Sequence, residues 1–406
     1  MEEEFHNHMR IPWHDYTRKS IGHPITEASL SEKASIIGRT GIMLLSCGTG
    51  AWRVRSSMNT RELGITCTAD IGLLSIEYTC IDGGNCYTES LCLFNTGVNT
   101  SKLYRMEEFV NKFAGNCKKM SGDELHTLLD RIHEIHGFYS PPFLGLAAAV
   151  ACCAFTFLLG GGPVEMFCAF LGAGAGNYLR AKMNQHHLTL FLCTAASVAL
   201  ACIVYTIAFT ALKSGFHVSI HHQAGYICSM LFIIPGFPFI TSGIDLAKLD
   251  MRSGTERLVY SLIIITVATM TAWILAMSLG LQPMDFLPLN LGLWQWILLR
   301  LLASCCGVFG FSIMFNSPVR LALAAGLIGA ISNTVRLELI DLLALPPAAA
   351  AFIGAFIAGL LASTLKGLAG YPRISLTVPS IVIMVPTVQE LFAHSIVLYF
   401  RMSPKK

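Results

Sequence analysis

Charged residues are scarce over most of this chain. Residues 1–142 contain 31 of the 53 Lys, Arg, Asp and Glu, whereas the longer stretch 143–406 contains only 22. A mean hydropathy of +0.58, with 53% hydrophobic residues, excludes an ordinary water-soluble protein. Apolar runs of about 20 residues match the thickness of a bilayer core. We therefore expect a polytopic α-helical membrane protein preceded by a small soluble α+β domain.

The motifs of pumps and of several enzyme classes are also missing. No Gly-Lys-Ser/Thr phosphate-binding motif occurs, so coupling to an ion gradient is expected instead of ATP-driven transport. The N-terminal part has no nucleophile elbow or triad signature, which disfavours a membrane-bound enzyme. No cofactor is predicted, and a net charge of +3 gives no indication of nucleic-acid binding. A signalling domain on an inert anchor would need only one or two spans.

The sequence also lacks an apolar leader. The start Met1–Glu4 is acidic, so we expect the N-terminal part to stay in the cytosol where it is made. Most of the 14 cysteines lie in apolar runs and are interpreted as small hydrophobic residues. Cys80 and Cys86 flank a turn and could approach each other, although a reducing cytosol would keep both as thiols.

Residues 27–140 have the patterning of a compact α+β domain, after a flexible terminus at residues 1–26. Apolar residues recur at helical spacing until the break at Gly48-Thr49-Gly50. The segment Asp82–Asn85 is typical of a hairpin turn between two β-rich runs, which cover residues 65–81 and 85–94.

Helical patterning returns over residues 101–114 and 121–136. Ser121 and Glu124 have the spacing of a capping box. Three histidines share one face of the second helix: His126, His133 and His136. Such a set could bind a metal, but no fourth ligand accompanies it, so we interpret it as a solvated polar face.

Beyond residue 142, nine apolar segments are long enough to be candidate spans. They cover residues 143–160, 164–180, 188–212, 224–246, 258–281, 292–314, 319–335, 348–366 and 375–400. Cytoplasmic loops collect Lys and Arg. With the soluble domain inside, the predicted outer loops contain only two such residues, Lys213 and Arg336, against eight in the inner loops. This asymmetry favours a cytosolic N terminus.

An internal repeat relates the second span to the seventh. These spans begin at Pro163 and Pro318, and each carries an asparagine, Asn177 or Asn333, shortly before an arginine. The fourth and ninth spans match as well, because both are interrupted by proline. A repeat of five spans has an odd number of crossings, so the second copy enters the membrane inverted.

The repeat divides the apolar part into two modules. We expect a first module of five spans at residues 141–285, interrupted at Pro235. We expect the second module, at residues 286–406, to be interrupted at Pro386 and to have four spans without the fifth, so that either the chain is shortened or the ninth region doubles back at Pro386. Paired breaks of this kind indicate the substrate site of a secondary carrier.

The segment Ile234-Pro235-Gly236-Phe237-Pro238, with Asp245 downstream, resembles the signature of the threonine/serine exporter family. The N-terminal half resembles the family at Leu44-Leu45, Gly48, Thr49, Trp52-Arg53-Val54, Leu103 and Val110-Asn111-Lys112. The resemblance implies a soluble domain followed by two five-span modules, fused here in one chain. It also implies export of threonine or serine, or of dicarboxylates such as succinate, as in some members. Val385-Pro386-Thr387 departs from the Pro-Gly usual in the second module.

The broken spans are the predicted substrate pathway. Proline frees carbonyl groups that lipid cannot satisfy, and the amino end of a half-helix suits a substrate carboxylate. An ordinary kink is the alternative. The residues assigned to the pathway are Pro235, Gly236, Phe237, Pro238, Asp245, Arg300, Pro386, Gln389, Glu390, Asn177 and Asn333.

Five of these residues also have a structural interpretation. Glu390 either carries a proton or substrate or lies at a misplaced span boundary. Asp245 is near the inner end of its span, where an interfacial charge is the simpler interpretation. Arg300 either snorkels to the surface or pairs with an anionic substrate. Asn177 and Asn333 could bond across helices instead of contacting substrate.

The predicted function is secondary export of a small amino acid across the plasma membrane by alternating access. Dicarboxylate export is the alternative. The expected partners are the small-molecule substrate, a coupling ion such as a proton, and the lipid bilayer. A homo-oligomer remains open, and neither a metal nor nucleic acid is expected.

Overall fold

The structure is a computed structural model that describes residues 11–17, 22–58, 61–135, 137, 139–216, 219–281, 286–369 and 371–384. These residues form two compact units. Unit 1 comprises the residues up to Gly137 together with Pro238–Tyr260. Unit 2 comprises the remaining residues up to Phe237 and those from Ser261 onwards. Unit 1 therefore includes a segment that lies far along the chain from residues 27–140, whose domain boundaries remain a prediction.

The N-terminal elements are α1 (Leu30–Ser46), α2 (Ala51–Ser57), β1 (Thr66–Ile71), β2 (Ser75–Asp82), β3 (Asn85–Cys92), α3 (Thr100–Asn116) and α4 (Gly122–His133). They are followed by α5 (Pro141–Leu158), α6 (Pro163–Gln185), α7 (Leu190–Phe216), a 3-10 helix (Ile220–Ile233), α8 (Gly236–Ala247), α9 (Met251–Leu279), α10 (Leu293–Met314), α11 (Val319–Leu343), α12 (Pro347–Ala369) and α13 (Arg373–Val382). Short 3-10 helices occupy Trp13–Thr17, Ile25–Glu27 and Arg61–Leu63.

The sheet of unit 1 is antiparallel, with the strand order β1-β2-β3. The predicted hairpin is confirmed, because Asp82 pairs with Asn85 across the turn. The prediction of one β run over residues 65–81 is wrong, since the chain turns at Gly72, whose N–H donates to Ser75 O at 2.8 Å. The next N–H, of Leu73, donates to the carboxylate of Glu256 at 2.5 Å. A residue from the distant segment thus holds this turn, which local sequence could not show.

Cys80 and Cys86 do not approach each other across the hairpin turn. In the strand register, Cys80 lies opposite Tyr87 and Cys86 lies opposite Ile81. Because Cys80 and Ile81 are successive residues of one strand, the two thiols lie on opposite faces of the sheet. Cys80 is buried, whereas Cys86 is exposed. The residue opposite Cys80 is Cys67 on β1. All 14 cysteines are free thiols.

Helix α1 is the central element of unit 1, with nearly every residue buried. The Tyr78 hydroxyl of β2 donates to Ala34 O at 3.0 Å and lies where a side chain at Gly38 would be. The break predicted at Gly48-Thr49-Gly50 lies directly after α1. Gly48 has a φ of +85° there, a left-handed conformation that favours glycine and ends the helix. The chain then re-enters a helix at Ala51.

The capping box of α4 is confirmed, but the solvated histidine face is only partly so. Ser121 and Glu124 cap each other's backbone N–H groups. His133 is exposed, whereas His126 is fully buried, so its interpretation as a solvated residue is wrong. Burial, with the adjacent Arg39 guanidinium, lowers the pKa of His126 to about 3. Among the described residues, which exclude His136, no group of three metal-ligating side chains occurs.

His126 is buried because the N-terminal segment covers it. Its ring stacks on Trp13, with centroids 5.9 Å apart, and its Nε2 contacts Ser35 Oγ at 3.0 Å. Beside it, His14 bridges two carboxylates of α4, with Nδ1 2.6 Å from Asp123 and Nε2 2.7 Å from Asp130. A segment predicted to be a flexible terminus therefore closes part of the core of unit 1.

The described residues contain six helices that are long and apolar enough to cross a membrane. They are α5, α7, α9, α10, α11 and Pro347–Leu365 of α12. The 3-10 helix and α8 together form a seventh candidate, bent by 61°. The second predicted span is helical as α6, which is not among these candidates. Most of the ninth lies outside the described residues. The protein is therefore a polytopic helical membrane protein.

Small residues let the helices of unit 2 approach closely. A Cβ at Gly310 of α10 would lie 2.5 Å from Ala147 O of α5, and one at Gly172 of α6 would lie 2.6 Å from Ala201 O of α7. Such contacts are typical of helix packing in membranes, where side-chain burial provides no hydrophobic gain over lipid.

Candidate functional site

The fourth predicted span is interrupted as the sequence indicates. The 3-10 helix ends at Ile233 and α8 begins at Gly236, whose N–H donates back to Ile234 O at 2.8 Å. Pro235 lies at the break, where it has no N–H to continue the helix. Pro238 lies in the first turn of α8, a position that tolerates proline. Of the two prolines, only Pro235 therefore interrupts the span.

The break packs against the end of α13. Gly236 is buried, and a Cβ there would lie 2.8 Å from Val382 Cγ1. The Phe237 ring packs edge-on against Phe315, with centroids 5.4 Å apart. Pro386, Gln389 and Glu390 lie outside the described residues. The last helical residue in the described part of the ninth span is Val382, four positions before Pro386. Val382 contacts the first break at Gly236.

Arg336 lies beside the end of α13, and sequence reasoning did not include it among the pathway residues. It was predicted in an outer loop, which is wrong, because α11 continues to Leu343 and buries it. Its Nη1 donates to Asn333 Oδ1 at 3.1 Å and to Ile383 O at 3.3 Å. The available signal was its position three residues after Asn333 in the repeat, which places both on one helical face.

The two repeat asparagines bond to the preceding helix. Asn177 of α6 donates to Leu144 O of α5 at 2.7 Å, and Asn333 of α11 donates to Ser304 Oγ of α10 at 2.9 Å. These bonds join equivalent helix pairs of the two predicted modules. The geometry is that of interhelical packing, and substrate contact by either residue remains a prediction.

Asp245, near the end of α8, is fully buried in unit 1, and its position at the membrane interface remains a prediction. Its carboxylate accepts from Ala51 N at 3.0 Å, at the start of α2, and from Ser253 Oγ at 2.9 Å. Arg257 Nε lies 3.5 Å from the same oxygen, and its other nitrogens donate to Gly48 O and Thr49 O. These contacts join the break after α1 to α8 and α9. A role of Asp245 in the substrate pathway remains a prediction.

Arg300 has two protein carboxylates as partners. Its guanidinium lies 2.8 Å from Glu338 and 2.5 Å from Asp341 on α11. It also stacks over the Trp296 ring at 4.9 Å. Charge-assisted hydrogen bonds to the two carboxylates stabilise this half-buried guanidinium.

A second residue missed by sequence reasoning is Glu165, in the first turn of α6. Its carboxylate accepts from Gly162 N at 3.0 Å and is fully buried. A Cβ at Gly225 would lie 2.9 Å from Glu165 Cγ and even closer to the Tyr205 hydroxyl, so this glycine admits both side chains. The signal was a lone glutamate inside an apolar run, which is uncommon in membrane spans and frequently functional.

Two family models match the chain. A family model described as a threonine/serine exporter matches residues 35–280, and a second, described as Threonine/Serine exporter, matches residues 300–400. No curated protein and no solved structure matches the chain. The first match covers more than half of the sequence and includes the interrupted span. The chain therefore belongs to the threonine/serine exporter family.

Proposed function

We propose that this protein is a secondary transporter that exports threonine, serine or similar small amino acids across the plasma membrane. The observation that carries the proposal is the packing of the first break, at Gly236, against Val382 of the second interrupted span. Carriers of this kind bind substrate where two broken helices meet near the midplane. Both family models name threonine/serine exporters, and neither supports the dicarboxylate alternative.

Alternating access would follow from two inverted five-span modules. In support, Asn177 and Asn333 make corresponding bonds within the helix pairs α5–α6 and α10–α11. Rocking of one module against the other would open the broken helices to each side in turn. We place residues 27–140 in the cytosol, because the predicted inner loops hold most of the Lys and Arg.

The ion coupling would use Glu165. Among the described residues of unit 2 it is the only fully buried carboxylate. A carboxylate within the bilayer that binds and releases a proton is a common element of proton-driven transport. Glu165→Gln is a matched test, because the glutamine oxygen can still accept from Gly162 N while the proton-binding group is lost.

Proteoliposomes loaded with labelled threonine, serine or succinate test the proposal. We expect efflux of threonine and serine, accelerated by a proton gradient, and no efflux of succinate. Glu165→Gln should keep threonine exchange but lose its acceleration by the gradient. Efflux of succinate alone would contradict the substrate class, and gradient-dependent efflux in Glu165→Gln would contradict the coupling residue.

A further inference from the structure

Cys67 on β1 and Cys80 on β2 lie directly opposite each other in the sheet of unit 1. The turn between these strands is closed by the hydrogen bond from Gly72 N to Ser75 O, so these two residues form a hydrogen-bonded pair. Hydrogen-bonded and non-hydrogen-bonded pairs alternate along an antiparallel ladder. The register is continuous, and Cys67 lies five positions before Gly72. The two cysteines are therefore a non-hydrogen-bonded pair.

A non-hydrogen-bonded pair is the closest pairing of side chains that an antiparallel ladder provides. Its Cα atoms are about 4.5 Å apart, and both side chains lie on the same face. A disulfide requires a Cα separation of about 4.4–6.8 Å. The two thiols are close enough that a hydrogen bond from Cys80 lowers the pKa of Cys67. The pair therefore meets the distance requirement of a disulfide.

Among the four cysteines of the described sheet, no other pair meets this requirement. Cys86 and Cys92 lie on β3, which is two strand spacings, or about 9–10 Å, from β1. Cys86 lies on the opposite face from Cys80. Cys92 lies opposite Ser75, five positions along β2 from Cys80. The sheet therefore selects one pairing.

The two paired thiols differ in their access to solvent. Cys67 is partly exposed, whereas Cys80 is buried. The thiolate is the form of cysteine that reacts with peroxide, and a lowered pKa together with solvent access favours this reaction at Cys67. A sulfenic acid formed there would meet a second thiol directly opposite. An accessible thiol of lowered pKa beside a resolving thiol is the arrangement of redox-responsive cysteines.

We propose that Cys67 and Cys80 form a peroxide-responsive dithiol that closes reversibly to a disulfide between β1 and β2. The Cys67 thiolate attacks one oxygen of hydrogen peroxide, so that an S–O bond forms, the O–O bond breaks and hydroxide leaves. The Cys80 sulfur then attacks the sulfur of the sulfenic acid. An S–S bond replaces the S–O bond, and the leaving hydroxide takes up the Cys80 proton as water. In total, two thiols are oxidised and one peroxide is reduced to two waters.

The modification is independent of the proposed transport of amino acids. In the cytosol, where we place residues 27–140, thiols are kept reduced and disulfides are mostly transient and redox-sensing. The disulfide would join the two strands whose connecting turn is held by Glu256 of α9. Oxidation would therefore stiffen the part of the sheet that contacts the segment Pro238–Tyr260 of the same unit.

Peptide mapping of the full chain in detergent tests the inference. The reduced protein is treated with hydrogen peroxide, the remaining thiols are alkylated, and the protein is cleaved after acidic residues without reduction. This cleavage gives each of the four cysteines its own peptide, because the sites between them are Asp70, Glu77, Asp82 and Glu89. We expect the peptides of Cys67 and Cys80 to be joined, at least about tenfold more abundantly than any other pair of these cysteines. Dithiothreitol should separate them.

Cys86→Ser is the matched control, because it removes a thiol of the same sheet that has no cysteine opposite. It should leave the joined peptides unchanged. Cys80→Ser should yield no joined peptide and leave Cys67 as a sulfenic acid, which dimedone traps. A Cys67 thiol that stays reduced at peroxide concentrations that oxidise Cys86 would overturn the inference. If Cys80→Ser does not fold, wild-type protein unfolded in denaturant replaces it, and an undiminished preference for the same pair there would overturn the role of the native register.

Discussion

Unit 1 and unit 2 bury their polar groups in different ways. In unit 1, buried carboxylates meet arginines, as Asp245 does with Arg257 and Glu107 with Arg53. In unit 2, Asn177 and Asn333 donate to a carbonyl and a hydroxyl oxygen of neighbouring helices, although Arg300 meets two carboxylates there. Breaking a buried ion pair is costly, whereas a bond to a neutral oxygen can be exchanged for another at small cost. We therefore expect unit 1 to be the more rigid of the two and the asparagine bonds of unit 2 to rearrange more easily.

The strongest test of this contrast is the close contact in unit 2. Gly236→Ala places a methyl group 2.8 Å from Val382 Cγ1, so the break and α13 must separate. We expect efflux to fall at least about tenfold, which corresponds to roughly 1.4 kcal/mol, a typical cost of overpacking. Gly236→Leu should abolish efflux while membrane insertion survives. Efflux from vesicles with equal protein amounts measures both.

Two variants control this prediction. Gly243→Ala, on the same helix, meets no atom within 4 Å and should transport normally. The double variant Gly236→Ala/Val382→Ala removes the clash and should recover part of the efflux. Normal efflux by Gly236→Ala would place the site away from the break.

The buried ion pair between Asp245 and Arg257 in unit 1 should affect stability more than any exposed pair. Asp245→Asn leaves Arg257 buried beside a neutral partner and should lower the free energy of unfolding by about 3–5 kcal/mol. Glu108→Gln, which breaks exposed pairs with Arg105 and Lys112, should cost less than about 1 kcal/mol. Denaturant unfolding of the detergent-solubilised protein, followed through the sheet of unit 1, compares them. Equal losses would contradict the rigid role assigned to unit 1.

The repeat asparagines give a smaller effect. Asn177→Ala and Asn333→Ala each remove one interhelical bond, worth roughly 0.5–2 kcal/mol in membranes. Asn333→Ala also removes the oxygen that accepts from Arg336, so it should lower the free energy of unfolding more than Asn177→Ala does. Thermal unfolding of both variants measures these losses, and equal losses would contradict the added contact of Asn333.

The smallest effect is a pH dependence of unit 1. Hydrogen bonds to Asp123 and Asp130 raise the pKa of His14 above 6.5. The stability that His14 contributes is therefore complete below pH 6.5 and is lost as the pH rises through its raised folded-state pKa. His126 has the opposite effect. Because its pKa is lowered in the folded state, the protein loses stability as the pH falls below 6.5.

Unfolding midpoints between pH 5 and 9 measure this dependence. His14→Gln should flatten the decline on the alkaline side. His133→Ala, at an exposed position, should leave both the profile and the transport activity unchanged. A decline that persists in His14→Gln would show that other groups cause it.

Much of the secondary structure follows from local sequence. The hairpin at Asp82–Asn85, the capping box at Ser121 and the interruption at Pro235 depend on the conformational preferences of neighbouring residues. The positions of most spans depend only on a run of apolar residues that matches the bilayer thickness. Each feature could be predicted because its cause lies within about 20 residues of chain.

The tertiary structure alone decided which polar residues are buried and what they contact. Asp245 caps a helix that begins 194 positions earlier, and Arg336 reaches Ile383, which is 47 positions later. His126 is buried among side chains far along the chain, which include Trp13 and Arg39. Periodicity shows the face of a helix on which a residue lies, but the burial of that face depends on elements far along the chain. Hydrogen bonding and charge pairing, which select these contacts, operate only after packing has brought the partners together.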